Sequence, residues 1–480
     1  MQHGLTTMQE ECTLGIMEAH VFSSIEQVYE FVLGFVNVEK GQSTDFKLDR
    51  MHELAARLGN PHLGRLTVHV AGSKGKGSVA TLIAGALEAS GLPTGLYTSP
   101  HHLSWKERIS RAGRALPDRV ILQAAEEVYR LVAGKPPSDF PGNELPTYFE
   151  LTTLIGFCAF RLAGLQAQVI EVGMGGRLDS TNIVEPDVCA ITPVELEHTQ
   201  YLGDTISLIA TEKAGIIKWG IPVCALQRHD DALEVIEKTA AEKKAPLLVA
   251  GRHIEIRDVR VTLEGTSCIL MPTEVSPPAL KALLTEEGMP VRTGFIGSVY
   301  ASNMALAVLA LASLDNPIDK KAIQQGFLVA RLPARFEVIS RKPLVVLDGA
   351  HTPDSIASVI RDFLALSGDG RKVLLFGCAL DKHHEEMAAI LAPHFDEIIV
   401  TRPGSFKQSD PEAVFQSFCK HAPQTRFVPD TEEAIALARA ILSSQPTRRH
   451  ETYGQTSESS MLVTGSFYLC AEYEKAIRAG

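Results

Sequence analysis

The segment most suited to chemistry in this 480-residue chain is a glycine-rich run, Gly-Ser-Lys-Gly-Lys-Gly-Ser, at residues 72–78. It follows residues 65–71, which predict a buried strand, and residues 78–90 predict a helix. Glycines let backbone N–H groups approach phosphate oxygens, and a helix N-terminus adds positive potential there. The segment therefore predicts a phosphate-binding loop.

Two side chains of this loop can act directly on a nucleotide. Lys76 can reach β- and γ-phosphates, and Ser78 can serve a phosphate or a magnesium ion. The first two glycines are separated by two residues, whereas the common loop has four. A glycine-rich turn without a ligand is the alternative, and Lys76 and Ser78 argue against it. The remaining predicted nucleotide-binding members are Gly72, Ser73, Lys74, Gly75 and Gly77.

The elements that must position this loop form two strand–helix series. Alternating strands and helices predict parallel sheets covered on both faces, and hence an α/β fold. We expect an N-terminal P-loop ATPase domain with a mostly parallel sheet at residues 1–330, followed by a smaller Rossmann-like α/β domain at 331–480. Residues 251–275 predict a small antiparallel patch, and the polar residues 443–460 predict a solvated loop.

Composition excludes several classes of protein. A net charge of −11 disfavours a general nucleic-acid surface, so no nucleic-acid partner is expected. Eight scattered cysteines without a C-x-x-C pair indicate reduced thiols and a cytoplasmic location. Apolar runs stay below 18 residues, so no membrane association is expected.

The loop and segments spread along most of the chain resemble the folylpolyglutamate synthase/dihydrofolate synthase family, within the wider group that includes the muramyl-peptide ligases. The matching segments are Phe46–Met51, Leu58–Pro61, Tyr97–Leu103, Glu107–Ile109, Thr147–Glu150, Glu171–Asn182, Glu212–Ile216, Arg335–Glu337, Asp348–His351 and Val463–Ser466. Three places depart from the family pattern: Glu197 stands where Asp is usual, Val299-Tyr300 stands where His-Gln is usual, and Thr352-Pro353 stands where Asn-Pro is usual.

The resemblance implies an ATP-dependent ligase that joins a carboxylate to an amino acid through an acyl phosphate. The implied acceptors are dihydropteroate, reduced folates or both, and the implied amino acid is L-glutamate. The implied cofactors are ATP and Mg²⁺ at two sites, with a monovalent cation such as K⁺ as a further candidate. A monomer is expected.

The resemblance also implies roles for single residues. The metal ligands would be Ser78, Ser99, Glu150, His198 and Lys213, with Lys213 carrying a carbamate. The nucleotide would meet Asn303 on its adenine side, and Arg335, Asp348 and His351 elsewhere. The catalytic residues would be Lys76, His198 and Lys213.

Two other functions were weighed against this one. A muramyl-peptide-type amino-acid ligase belongs to the same wider group, but the Ser-Pro-His loop at 99–101 and the setting of Lys213 favour the folate enzymes. An ATP-sensing scaffold without catalysis is disfavoured because the candidate catalytic residues are all present. The sequence leaves open which acceptor is used.

Overall fold

Strands and helices alternate in two series, and each series forms its own parallel sheet. The computed structural model describes residues 21–36, 47–404, 408–444 and 458–479. Most of the predicted polar loop at 443–460, and Phe46 of the first family segment, lie outside the described residues. The predicted α/β class is confirmed.

The helices are α1 (Ile25–Leu33), α2 (Lys47–Arg57), α3 (Lys76–Ala89), α4 (Asp118–Val132), α5 (Tyr148–Leu162), α6 (Thr199–Leu202), α7 (Ile206–Ala214), α8 (Asp230–Glu242), α9 (Pro278–Leu284), α10 (Val299–Ala312), α11 (Lys320–Val329), α12 (Pro353–Leu366), α13 (His384–Leu391), α14 (Pro411–Cys419), α15 (Thr431–Ser443) and α16 (Phe467–Ala479).

The strands are β1 (Leu66–Ala71), β2 (Thr94–Tyr97), β3 (Ile109–Arg111), β4 (Arg114–Ala115), β5 (Ala167–Glu171), β6 (Val188–Ile191), β7 (Val223–Ala225), β8 (Leu247–Val249), β9 (Ile254–Thr262), β10 (Gly265–Pro272), β11 (Met289–Thr293), β12 (Glu337–Arg341), β13 (Leu344–Leu347), β14 (Lys372–Phe376), β15 (Glu397–Val400), β16 (Arg426–Phe427) and β17 (Ser460–Thr464).

The first sheet has eight strands in the order β4-β3-β2-β5-β1-β6-β7-β8. Its six central and distal strands run parallel, while β3 and β4 add an antiparallel edge. Strands β1 and β5 are buried on both faces, as is usual for central strands of a parallel sheet. The helix α3 packs against α11 at Gly85, where an added Cβ would lie 2.6 Å from the carbonyl oxygen of Gly326.

Two further sheets complete the fold. The antiparallel patch predicted at residues 251–275 is confirmed as part of a three-stranded sheet, β11-β10-β9. The second parallel sheet has the order β12-β13-β17-β14-β15-β16, with β12 antiparallel at one edge. Since α11 ends at Val329 and β12 begins at Glu337, we propose residues 1–330 and 331–480 as the two domains. No helix in the described ranges is long and apolar enough to cross a membrane.

Candidate functional site

The carboxyl ends of the strands of both parallel sheets face one shared cavity of about 610 Å³. The chain turns from β1 into the loop at 72–78, from β2 into Ser99, and from β6 toward Glu197 and His198. This placement follows from topology, because loops at the carboxyl ends of parallel strands meet at one edge of a sheet. The second sheet contributes its own members of the cavity wall: Arg335, Asp348, His351, Lys382 and Ser466.

Close backbone contacts fix the shape of the phosphate loop. Gly72 has φ 136°, and an added Cβ would lie 1.9 Å from Oγ1 of Thr192. Gly75 has φ 88° at the N-terminus of α3, a conformation that glycine adopts without strain. The Lys76 ammonium folds back and donates to the carbonyl oxygens of Gly72 at 2.9 Å and Ser73 at 3.2 Å. Residues 73–78 line the cavity, as a phosphate-binding loop requires.

Glu171 is a member of the site that residue-by-residue reasoning missed. It ends β5, lines the cavity and is only 3% exposed. Its carboxylate accepts one hydrogen bond from a described residue, from the backbone N–H of Ser99 at 2.9 Å. Burial raises the pKa of Glu171, and the nearby Lys76 opposes that rise. A carboxylate at the carboxyl end of a predicted parallel strand was the available signal.

Glu150 does not join the other predicted metal ligands. Its carboxylate accepts from Arg50 Nε at 3.0 Å and from the Thr147 backbone N–H at 2.7 Å, at the start of α5. Arg50 is fully buried and also pairs with Glu144 at 3.3 Å. Glu150 therefore caps α5 and neutralises a buried guanidinium, and it is not part of the cavity wall.

Lys213 lies directly behind the phosphate loop. Its ammonium is 1% exposed and donates to the carbonyl oxygen of Gly72 at 2.8 Å and to Glu197 Oε1 at 3.1 Å. Burial lowers the pKa of Lys213 to about 8, although Glu197 opposes that shift. Burial favours the neutral form of Glu197, but Lys76, Lys213 and Lys74 outweigh it and bring its pKa to about 2. The Glu197 carboxylate thus lies among three lysines.

His198 and Ser99, two of the predicted metal ligands, both line the cavity. His198 has φ 50°, in the left-handed region, immediately before α6. Burial lowers its pKa, so its imidazole is held neutral and able to donate a lone pair. Ser99 links this wall to Glu171 through its backbone N–H.

Arg335 reaches the cavity from the linker before β12. Its guanidinium lies 4.4 Å from the ring centroid of Phe467, and its neighbours Ala334 and Phe336 have φ values of 51° and 45°. Asp348 holds this conformation, because its carboxylate accepts from the backbone N–H of Phe336 at 2.7 Å and of Ala350 at 2.7 Å. Asp348 therefore lines the cavity while positioning the backbone on either side of it.

Helix α10 closes the cavity above the loop. Asn303 is 2% exposed, and its Oδ1 lies 3.1 Å from where a Cβ on Gly75 would stand. Tyr300, in the place of the usual glutamine, is buried, stacks on Phe295 at 4.9 Å between ring centroids and faces Ser78. The predicted adenine-side residue thus touches the phosphate loop, beside a large aromatic ring.

A prediction on acid stability arises from His351. Burial lowers the pKa of His351 to about 3. Its Nδ1 lies 2.8 Å from the carbonyl oxygen of Gly349, in hydrogen-bond contact. Below about pH 6.5 His351 binds a proton in the unfolded chain but not in the folded protein. The free energy of unfolding therefore decreases as the pH is lowered. His351→Asn keeps a donor for the carbonyl oxygen of Gly349. Between pH 7 and pH 5, we expect its free energy of unfolding to decrease by about 1–2 kcal/mol less than that of the wild type. Urea unfolding at both pH values measures this, and equal losses would contradict it.

The fold and the site define a nucleotide-binding α/β protein whose candidate active site lies between two parallel sheets. The Mur ligase middle domain matches residues 70–311, and the Mur ligase glutamate ligase domain matches residues 334–448. The chain belongs to the folylpolyglutamate synthase/dihydrofolate synthase family of Mur ligases.

Individual relatives agree with this membership. The dihydrofolate synthase/folylpolyglutamate synthase of Bacillus subtilis is 30% identical, covering 90% of this chain and 95% of that protein. A probable bifunctional folylpolyglutamate synthase/dihydropteroate synthase of Haloferax volcanii is 34% identical. The match covers 88% of this chain but only 47% of the length of that protein. The solved folylpolyglutamate synthase of Mycobacterium tuberculosis with ADP matches at 25% identity, covering 94% of this chain and 97% of that one, with a TM-score of 0.81.

Proposed function

We propose that the chain is an ATP-dependent ligase that adds L-glutamate to dihydropteroate, to the glutamate tail of reduced folates, or to both. The observation that carries the proposal is the cavity itself, where a phosphate loop, a buried carboxylate and cations from both sheets meet. Relatives named for both reactions, and the ADP complex of the mycobacterial relative, support it.

The arrangement suits activation of a carboxylate by phosphate transfer. A free carboxylate does not form an amide directly, because hydroxide is a poor leaving group. Transfer of the γ-phosphoryl group of ATP makes an acyl phosphate, from which an amine displaces phosphate. Such a transfer is catalysed mainly by positioning and by charge neutralisation. Lys76 in the loop and Arg335 from the second domain both supply positive charge to the cavity.

The residues present fit a magnesium ion held together with a nucleotide. Among the residues that the structure describes, no three His, Cys, Asp or Glu side chains converge to hold a metal alone. Magnesium is commonly held by one or two carboxylates with substrate phosphates and water. We propose Glu171 and Ser78 as protein ligands, with Ser99, His198 and carbamylated Lys213 as further ones. When bound, the ion would neutralise charge on the phosphates.

Our assignment of the carboxylate ligand predicts opposite effects for two glutamates. Glu171→Gln removes the cavity carboxylate, and we expect about a 100-fold or greater loss of turnover with little loss of stability. Glu150→Gln is the matched control: it leaves buried Arg50 with less compensation, so we expect a lower melting temperature but near wild-type turnover per folded molecule. Turnover and melting temperature of both variants decide the matter. The reverse pattern would return the role to Glu150.

The products test the proposed mechanism as a whole. With dihydropteroate or tetrahydrofolate and L-glutamate, we expect one ADP and one phosphate for each amide formed. Oxygen-18 placed in the acceptor carboxylate should appear in the released phosphate, because an acyl phosphate transfers that oxygen. Stoichiometric AMP, or phosphate without the isotope, would refute the acyl-phosphate route. A panel of both acceptors, with products detected by mass, identifies the substrate.

Three further features of the proposal come from the family resemblance. They are a monomeric state, a cytoplasmic location and a monovalent cation such as K⁺ near the nucleotide. Each stays a prediction for this chain. Activity in sodium, potassium and tetramethylammonium salts at equal ionic strength tests the cation.

A further inference from the structure

Arg108 is a buried cation without a carboxylate partner within the described part of the chain. It follows the loop at 99–107 and is 9% exposed. Its Nε donates to Nδ1 of His101 at 2.9 Å, and no described Asp or Glu lies within salt-bridge distance of its guanidinium. The neighbouring Glu107 does not serve, because its carboxylate accepts from the backbone N–H groups of residues 102–104.

The partner that Arg108 does have cannot neutralise it. His101 accepts the hydrogen bond through Nδ1, and burial followed by the charge of Arg108 lowers the pKa of His101 to about 4. The ring is therefore neutral at ordinary pH. A buried charge that lacks a counter-charge is costly, and such groups in proteins are normally paired or reserved for a ligand.

Aromatic side chains from three helices, α1, α5 and α16, surround Arg108. Its Cζ lies 5.7 Å from the ring centroid of Tyr148, at the first residue of α5. Tyr29 of α1 packs edge-on against His101 at 5.5 Å between ring centroids. Tyr468 of α16, beyond the second sheet, lies close enough for Arg108 to influence its pKa. Phenol hydroxyls and a guanidinium are all donors that suit a carboxylate.

This cluster adjoins the site described above. The carbonyl oxygen of Arg108 accepts from the backbone N–H of Thr98 at 3.1 Å, one residue before Ser99. Both His101 and Tyr468 line the main cavity, as does Glu171. An anion bound at Arg108 would therefore lie beside the cavity wall that carries Ser99 and Glu171, on a different element from the phosphate loop.

We propose that Arg108 binds a carboxylate of the acid substrate and so positions that substrate for activation. The proposal rests on the ligase function proposed above and names a specificity group for it. The planar guanidinium can give two parallel hydrogen bonds to one carboxylate, a geometry that lysine cannot supply. The tyrosine rings around it would pack against the flat aromatic portion of the same acid.

The test compares Arg108→Gln with Arg111→Gln, a matched control three residues further on, at the end of β3. Arg111 is paired with Glu88 and lies outside the cavity wall. For Arg108→Gln we expect the KM for dihydropteroate or tetrahydrofolate to rise about 100-fold. The affinity for ADP, measured by calorimetry, should change less than about twofold, because the phosphate loop is untouched. Arg111→Gln should match wild type in both measurements.

The two acceptors show which carboxylate is bound. Dihydropteroate has a single carboxylate, which is the reacting one, whereas tetrahydrofolate has two. A higher KM for both acceptors means that Arg108 holds the reacting carboxylate. A higher KM for tetrahydrofolate alone means that it holds the other. Both patterns support the proposal.

Other outcomes overturn it. Unchanged KM values for both acceptors, or an equal loss of ADP and acceptor affinity, would show that Arg108 has only a structural role. If Arg108→Gln does not fold, Arg108→Lys keeps the charge without the paired donors, and we expect its KM to rise about tenfold. A wild-type protein that ligates neither acceptor would refute the proposed function instead, so the two failures are distinguishable.

Discussion

Replacing Lys76 with alanine is expected to lower the ligation rate about 10²–10³-fold, equivalent to about 3–4 kcal/mol of lost transition-state stabilisation. In this structure the Lys76 ammonium is held by two loop carbonyls, those of Gly72 and Ser73. Those weak partners can be exchanged for phosphate oxygens without breaking an ion pair. The side chain is therefore available to a nucleotide at small cost.

The stability of the variant separates this role from a structural one. Alanine leaves the carbonyls of Gly72 and Ser73 facing the cavity, where water can satisfy them, so we expect a melting temperature close to wild type. Lys106→Ala is a suitable control, since Lys106 pairs with Asp118 at the surface and lies outside the cavity wall. Near wild-type turnover by folded Lys76→Ala would remove the loop from the proposed mechanism.

The phosphate loop could be predicted from the sequence because its signal is local. Strand, glycines, lysine and helix follow one another within residues 65–90, and backbone geometry leaves few ways to arrange them. The same holds for the second series, in which the sequence predicts strands at residues 344–348, 373–376, 397–401 and 461–464. They are found as β13, β14, β15 and β17. Short edge strands such as β4 and β16, with two residues each, carry no comparable pattern.

The carboxylate that we propose as a metal ligand could not be chosen from the sequence with the same ease. Both Glu150 and Glu171 stand in segments that match the family, and each follows or precedes an apolar stretch. The two residues differ in their tertiary contacts. Glu150 forms an ion pair with Arg50, 100 residues away, whereas Glu171 lines the cavity and accepts a hydrogen bond from Ser99. An ion pair between distant segments leaves no mark in the spacing of either one.

The assembly of Arg335 illustrates a second limit. The sequence predicts its segment, but the positive φ of Phe336 depends on a hydrogen bond to Asp348, just after β13, and that of Ala334 on one to Glu337. Alanine and phenylalanine both disfavour the left-handed backbone region, and each such conformation costs about 1–3 kcal/mol. Only the surrounding hydrogen bonds make the conformation the stable one.

Lys213→Ala is expected to have an effect at least as large as Lys76→Ala, because we predict that Lys213 carries a carbamate that holds magnesium. The amine nitrogen would attack carbon dioxide, form the N–C bond and release one proton. This requires the neutral amine. With a pKa of about 8, about a tenth of Lys213 is neutral at pH 7, far more than for an exposed lysine.

The charges around Lys213 set the conditions for this modification. As an ammonium it pairs with Glu197 at 3.1 Å, and a carbamate there would instead repel Glu197. Lys74, which approaches Glu197 to 3.8 Å, and bound magnesium would have to offset that repulsion. We therefore expect the carbamate to accumulate when magnesium, nucleotide and bicarbonate are present together, and the plain amine to persist without them.

Three measurements decide the role of Lys213. Mass analysis of the native protein under bicarbonate should show one added carbon dioxide at Lys213 that depends on magnesium. Lys213→Ala should lose turnover about 10³-fold, and acetate or formate should restore part of it by occupying the vacated place; Lys76→Ala, the control, should show no such rescue. Loss of the Glu197 pair should also lower its stability by up to about 3 kcal/mol, which urea unfolding would detect. An unmodified Lys213 in a fully active protein with magnesium bound would contradict the carbamate.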